Sequence, residues 1–152
     1  MSAASKPRRC KDCDPAAKRP RPAPYPGPRC ATHHRERQRA SREASHSRHV
    51  ERTYGISREQ YDALLEAQGG RCAGGCGATG RSRRLAVDHD HACCPGPVSC
   101  GKCVRGLLCS RCNRFIGYVG DNPEALRGLA EYLEDPPARR VLGLANIERM
   151  KR

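Results

Sequence analysis

Leu85-Ala86-Val87-Asp88-His89-Asp90-His91 and Val104-Arg105-Gly106-Leu107-Leu108-Cys109-Ser110-Arg111-Cys112-Asn113 are the two stretches whose reading decides the fold. Leu85-Ala86-Val87 and Val104-Arg105-Gly106-Leu107-Leu108 read as two short strands. The second continues through Arg114-Phe115-Ile116-Gly117 as a helix, with Cys109 and Cys112 on one face at i, i+3. Strand, turn, strand, helix is therefore expected between Leu85 and Gly117. Along a strand, alternate residues share a face, so His89 and His91 point one way and Asp88 and Asp90 the other. A bend at the strand end would aim Asp88 and His89 into one pocket.

Working outward, Cys72-x3-Cys76 precedes the first stretch in a Gly-rich loop, and Cys109-x2-Cys112 closes the second. Two short-spaced thiol pairs supply the four soft ligands that tetrahedral zinc prefers, and such a closed set is structural rather than catalytic. The chain needs it. Of 152 residues only 37% are hydrophobic, with one Phe and no Trp, so the apolar core must be small. An odd count of eleven cysteines behind a charged, non-apolar start (Lys6, Arg8, Arg9) argues against a secreted disulfide framework and for metal binding in the cytoplasm. Two further sets fit zinc. Cys10 and Cys13 pair with Cys30 and His33 (or His34) across a 16-residue gap, and Cys93, Cys94, Cys100 and Cys103 crowd the turn between the strands. Adjacent Cys93-Cys94 is awkward as a ligand pair, so one of the two could stand aside. Asp88 and Asn113 offer hard oxygen atoms, suited to magnesium rather than zinc, and Asn113 is fixed by its neighbour Cys112.

The net charge of +13 is uneven: residues 1–50 carry 13 Lys+Arg against four Asp+Glu. A basic arm ahead of a nearly balanced body suits a polyanion, bound by counterion release without base reading. Seven of the twelve prolines lie between Pro7 and Pro28, so Lys18 to Pro26 is expected to be extended. Residues 35–53 read as a polar linker helix. Ser57-Arg58-Glu59-Gln60 resembles a capping box for a helix with Tyr61, Leu64, Leu65 and Gln68 on its apolar stripe, stopping at Gly69-Gly70. Asn122-Pro123 caps another helix through Tyr132 and Leu133, which breaks at Pro136-Pro137. A last amphipathic segment carries Val141, Leu142, Leu144 and Ile147. No apolar run is long enough to cross a bilayer.

Taken in order, Cys72, Cys76, the Asp88-His89-Asp90-His91 run, Val104 through Asn113 and Gly117 resemble the recombination endonuclease VII family. That family belongs to the HNH, or ββα-metal (His-Me finger), nucleases found in phages and actinobacterial genomes. The resemblance covers about residues 54–135 and implies a small α+β fold: a zinc-stapled ββα-metal core with flanking helices and a basic, Pro-rich N-terminal arm. It implies a DNA endonuclease that hydrolyses phosphodiester bonds with magnesium or manganese, acting at branched or mismatched DNA. Asp88 and Asn113 would hold the catalytic ion, His89 would be the general base, and His91 would assist at the phosphate or metal. Cys72, Cys76, Cys109 and Cys112 would bind structural zinc. Arg105, Arg111 and Arg114 are candidates to grip phosphates, or a solvated basic face.

The chain departs from the family pattern in its three-residue first cysteine spacing, its enlarged inter-strand turn and its Cys/His arm. The expected organisation is an arm over residues 1–34, a linker over 35–53, the nuclease-like domain over 54–135 and an amphipathic segment over 136–152. The partner expected is DNA, with no membrane; a homodimer would use the segment from Asn122 to Met150. Rival readings are a general HNH nicking enzyme of phage packaging or defence, a non-catalytic zinc-dependent DNA-binding protein, and a zinc-ribbon subunit that contacts only proteins.

Overall fold

A computed structural model describes residues 9–16, 21–23, 27–80 and 83–143. The extended stretch expected over Lys18 to Pro26 falls largely outside them, as do Leu144 and Ile147 of the last segment. The described elements are α1 (Ala31–Tyr54), α2 (Arg58–Ala67), β1 (Ala86–His89), β2 (Val104–Leu108), α3 (Ser110–Tyr118), α4 (Pro123–Glu134) and α5 (Pro137–Val141). The chain is a small α+β protein that divides into two compact units, residues 1–58 and 59–152.

In the second unit, β1 and β2 pair antiparallel, with Ala86 opposite Leu108, Val87 opposite Leu107 and Asp88 opposite Gly106. The register then slips, so that His89 faces Val104 and Arg105 is the extra residue. This is a β-bulge, which bends the strand and re-aims its side chains. The extra residue lies on β2, while β1 runs through Asp88 to its last residue, His89. α3 packs on both strands. Leu107 is wholly enclosed, and Leu85, Val87, Leu108 and Tyr61 are buried around it. The Tyr61 hydroxyl donates to the Leu85 carbonyl at 2.8 Å, which ties α2 to the start of β1.

Gln68 sits on the stripe that sequence reading gave to apolar packing, yet its work is polar. Its Oε1 accepts from Leu107 N at 2.8 Å and its Nε2 donates to Leu107 O at 2.9 Å. The amide thus takes the place of a third strand on the outer side of β2. Neighbouring Gly106 permits this, since a Cβ there would stand 3.1 Å from Gln68 Oε1. α2 stops just before Gly69 and Gly70, both at positive φ (63° and 70°), as glycine readily allows.

α4 begins as expected, with the Asn122 side chain accepting from Glu124 N at 2.9 Å and Ala125 N at 3.3 Å. It leaves Leu129, Tyr132 and Leu133 exposed. In the first unit, α1 starts at buried Cys30 and ends at Gly55, whose left-handed backbone (φ 65°) returns its N–H to Glu51 O. No helix among the described residues is long and apolar enough to cross a membrane.

Replacing Gln68 with alanine leaves the Leu107 N–H and C=O without the amide that matches them. We expect a loss of about 1–3 kcal/mol in urea unfolding, with faster amide exchange at Leu107. Gln68→Glu keeps the acceptor but not the donor, and is expected to fall between.

Candidate functional site

The bulge makes Arg105 the extra residue of β2 and sets it against Asp88. Asp88 and His89, consecutive on β1, are both buried. Arg105, the bulged residue, grips Asp88 with a two-pronged fork: Nε to Oδ2 at 2.7 Å and Nη2 to Oδ1 at 3.0 Å. The same guanidinium reaches Asp121 Oδ2 at 3.2 Å, and Asp121 Oδ2 lies 2.8 Å from His91 Nδ1. The hydrogen bond to Asp88 raises the Arg105 pKa above its ordinary value. Asp121 is held below the usual carboxylate value by the His91 hydrogen bond, against the effect of burial, with Arg105 adding to the lowering. The His89 and His91 rings lie 4.7 Å apart. Asp88, Arg105 and Asp121 line a cleft of about 300 Å³, and Asp121 also lines the neighbouring cleft of about 440 Å³ that His91 shares.

His89 Nε2 stands 3.2 Å from the carbonyl oxygens of both Cys94 and Gly96. Carbonyls only accept, so Nε2 carries the hydrogen and, in the neutral ring, Nδ1 carries the lone pair. Asn113 is half-buried in the first turn of α3, where its backbone N–H donates to Cys109 O at 2.9 Å. Its side chain makes no hydrogen bond to the Asp88–Arg105–Asp121–His91 group among the described residues. Arg111 and Arg114 are exposed on α3, and Arg114 Nε bonds back to Ser110 O at 3.3 Å.

Asp121 is the residue that sequence reading missed. It sits at φ 55°, the left-handed region that Asp tolerates better than most residues. Its only signal in the sequence is an acidic residue between Gly120 and the Asn122-Pro123 cap. Its Oδ1 is buried without a hydrogen-bond partner among the described residues. An orphaned carboxylate oxygen on the same cleft as Asp88 makes a hard donor set, which suits magnesium or manganese.

Three sulfur clusters are assembled, each with its four ligand atoms within 4.8 Å of one another: Cys10, Cys13, Cys30 and His33; Cys72, Cys76, Cys109 and Cys112; and Cys93, Cys94, Cys100 and Cys103. Four sulfurs held by zinc at about 2.3 Å lie about 3.8 Å apart in a tetrahedron. The observed Sγ separations match: 3.7 Å for Cys76–Cys109, 3.9 Å for Cys93–Cys100, 4.0 Å for Cys93–Cys94 and 3.8 Å for Cys100–Cys103. Both Cys93 and Cys94 are in position, so neither has to stand aside. In the first cluster the choice falls on His33, whose Nδ1 lies 3.2–3.5 Å from all three sulfurs, while His34 Nε2 pairs with Gln38 at 3.0 Å.

Each cluster holds two thiols low and pushes at least one other high. Against burial, the backbone N–H of Cys30 and the His33 ring bring Cys10 down to about 6, while burial pushes Cys13 up to about 11. The Ala78 N–H lowers Cys76 to about 6, and burial lifts Cys112 to about 12. The Lys102 N–H lowers Cys100 to about 7, and hydrogen bonding to Cys100 lifts Cys93 to about 12.

α1 presents a second kind of surface. It buries Val50 alone, so apolar packing accounts for little of its 24 residues. At 3.6 residues per turn, Arg35, Arg37, Arg39, Arg42, Arg48 and Arg52 fall within an arc of roughly 200°, and Glu36, Glu43 and Glu51 within roughly 80° on the other side. All six arginines are exposed, and none forms an ion pair among the described residues. The helix is about 36 Å long.

The sequence profile of recombination endonuclease VII matches residues 47–135. The "Gene 59 protein" of Mycobacterium phage D29 is 46% identical over 143 residues, which is 91% of this chain and 82% of the relative. The "Gene 59 protein" of Mycobacterium phage L5 is 43% identical over 136 residues, covering 88% and 78% respectively. No solved structure matches.

Metal analysis of the purified chain is expected to give three zinc ions. Cys13→Ser and Cys109→Ser should each remove one. Cys109→Ser should also abolish the cooperative unfolding of the second unit, because it opens the cluster that joins α3 to the strands.

Proposed function

The chain belongs to the recombination endonuclease VII family, and from that premise we propose that it is a zinc-stabilised DNA endonuclease of the ββα-metal type, dependent on magnesium or manganese. The observation that carries this reading is that Asp88 and His89, consecutive at the end of β1, are both buried in a strand–strand–helix unit. A purely structural strand would not bury an acid and an imidazole in succession, since each must be compensated by partners.

His89 is the general base. With Nε2–H held by two carbonyls, its Nδ1 takes the proton from water attacking the phosphorus. Asp88 and Asn113 would hold the divalent ion, and Asp121, with its orphaned Oδ1, lines the same cleft as Asp88. The ion, when bound, stabilises negative charge on the phosphate and on the leaving 3′ oxygen. Arg105 exchanges its grip on Asp88 for a phosphate of the DNA, the geometry a guanidinium fork recognises best. Asp121 fixes His91 through Nδ1, so that Nε2 faces outward to the phosphate. Arg111 and Arg114 extend the grip on the phosphates along α3. The preference for branched or mismatched DNA follows the family's character, and paired cuts in such DNA suit a dimer formed through the apolar residues that α4 leaves exposed.

One observation favours a second reading. The two-pronged Arg105 pairing neutralises Asp88, as it would in a DNA-binding protein that does not cut. One experiment separates the two. The chain is incubated with a four-way junction and with matching linear duplex, with and without magnesium, beside His89→Ala and Asn113→Ala. The nuclease reading expects magnesium-dependent cutting that falls by about 10²–10⁴ in His89→Ala and is lost in Asn113→Ala, with the junction cut in preference to the duplex. A zinc-loaded, folded wild type that cuts neither substrate would establish the binding protein instead.

The arginine face of α1 serves as a further phosphate-binding surface. Replacing Arg37, Arg42 and Arg48 together with glutamine is expected to flatten the slope of log affinity against log salt by about 0.9 for each phosphate left without its arginine. The same three-charge change at Arg127, Arg139 and Arg140 should leave the slope nearly unchanged. Fluorescence anisotropy on a labelled duplex without added magnesium gives both slopes.

A further inference from the structure

The turn between β1 and β2 holds a four-cysteine cluster that the catalytic scheme above does not use, and it lies against the base. Both carbonyls that accept from His89 Nε2–H come from this turn: Cys94 O and Gly96 O, each at 3.2 Å. One belongs to a cluster cysteine, and the other lies two residues further on. Apolar packing does little to fix them. Between Ala92 and Cys103 only Ser99 is buried, and Val98 is 56% exposed.

What defines the turn's shape is sulfur and backbone. Cys93, Cys94, Cys100 and Cys103 bring their Sγ atoms within 4.8 Å. Cys93 N and Cys94 N both donate to Asp90 O, at 3.2 and 3.0 Å, and Asp90 N returns to Cys103 O at 2.9 Å. Ser99 Oγ contacts Cys103 Sγ at 3.3 Å and accepts from Gly101 N at 3.0 Å.

We propose that a zinc ion bound by Cys93, Cys94, Cys100 and Cys103 orients His89, holding the Cys94 and Gly96 carbonyls where they accept its Nε2–H and thereby keeping the Nδ1 lone pair aimed at the attacking water. The turn is a positioning device for the base, acting on the imidazole rather than on the fold. The functional consequence rests on the nuclease reading, while the structural claim stands without it. With the ion gone, four crowded thiols have no common partner, the two carbonyls lose their fixed place, and the ring is free to turn away.

The test uses the full chain and two substitutions, Cys100→Ser and Cys93→Ser, neither of which alters a residue whose carbonyl meets His89. Three readouts are taken: zinc content, the His89 Nε2–H signal in ¹⁵N-resolved NMR, and the kcat and KM for cutting of duplex DNA with magnesium. Both variants are expected to lose one zinc, to lose the solvent-protected Nε2–H signal while the amide signals of β1, β2 and α3 persist, and to lose about 10–100-fold in kcat with KM unchanged, no more than the low end of the roughly 10²–10⁴-fold that a general base contributes as a whole. A signal that survives loss of the zinc would overturn the proposal, as would an unchanged zinc content. Collapse of the strand signals in both variants would also overturn it, because the turn would then be holding the fold. If the wild type cuts nothing, the nuclease reading falls, yet the zinc content and the Nε2–H signal still decide the positioning claim.

Discussion

The closure of Cys72, Cys76, Cys109 and Cys112 on one point is the constraint on which the second unit depends. These four residues come from the loop before β1 and from the start of α3, where the Ala73 N–H also donates to Leu107 O at 3.0 Å. The fit is tight. A Cβ on Gly74 would stand 3.0 Å from Cys112 Sγ, so the loop can wrap the cluster only with glycine there. Backbone N–H groups point at the sulfurs, Cys109 N at Cys72 Sγ (3.2 Å) and Cys112 N at Cys109 Sγ (3.4 Å). Cys109 is also the N-cap of α3, so one residue ends the strand segment, starts the helix and closes the cluster. Metal binding and folding are then a single event, as in other small domains whose ligands are far apart in the unfolded chain.

Within that frame the strand pair solves an electrostatic problem. Asp88 is removed from water, which is unfavourable for a carboxylate unless charge and hydrogen bonds compensate. Arg105 provides both, and it can do so because the bulge makes it the extra residue. In a regular ladder it would stand opposite a β1 residue, with its side chain set by the alternation of the strand. The same slip joins Arg105 to Asp121 and, through it, to His91. A chain of hydrogen bonds and ion pairs thus runs from the buried strand to the exposed ring.

The framework was legible from the sequence because cysteine spacing and apolar runs are local signals. The two strands, the helix after Cys109, the Asn122 cap and the three ligand sets all follow from residues a few places apart. What stayed hidden depends on register and long-range pairing. The alternation rule placed Asp88 and His89 on opposite faces, but it could not show that both are buried or that a one-residue slip sets Arg105 beside Asp88. Gln68 looked like part of an apolar stripe because the helical period brings it to the same side as Tyr61 and Leu64; its partner lies 39 residues away. Asp121 carried no signal for a similar reason, since its meeting with Arg105 and His91 exists only once α3 has folded back over the sheet. The choice between His33 and His34 turned on which ring faces the sulfurs, and adjacent residues on a helix always face differently.

The amide of Gln68 has a consequence beyond holding α2 in place. A two-stranded sheet ordinarily offers bare N–H and C=O groups along its sides, an invitation to any extended peptide. At Leu107 that invitation is withdrawn, because both groups are already spoken for by a side chain that belongs to the same molecule. Closed from within, that point of β2 has no pair of groups left to offer the strand of a second copy.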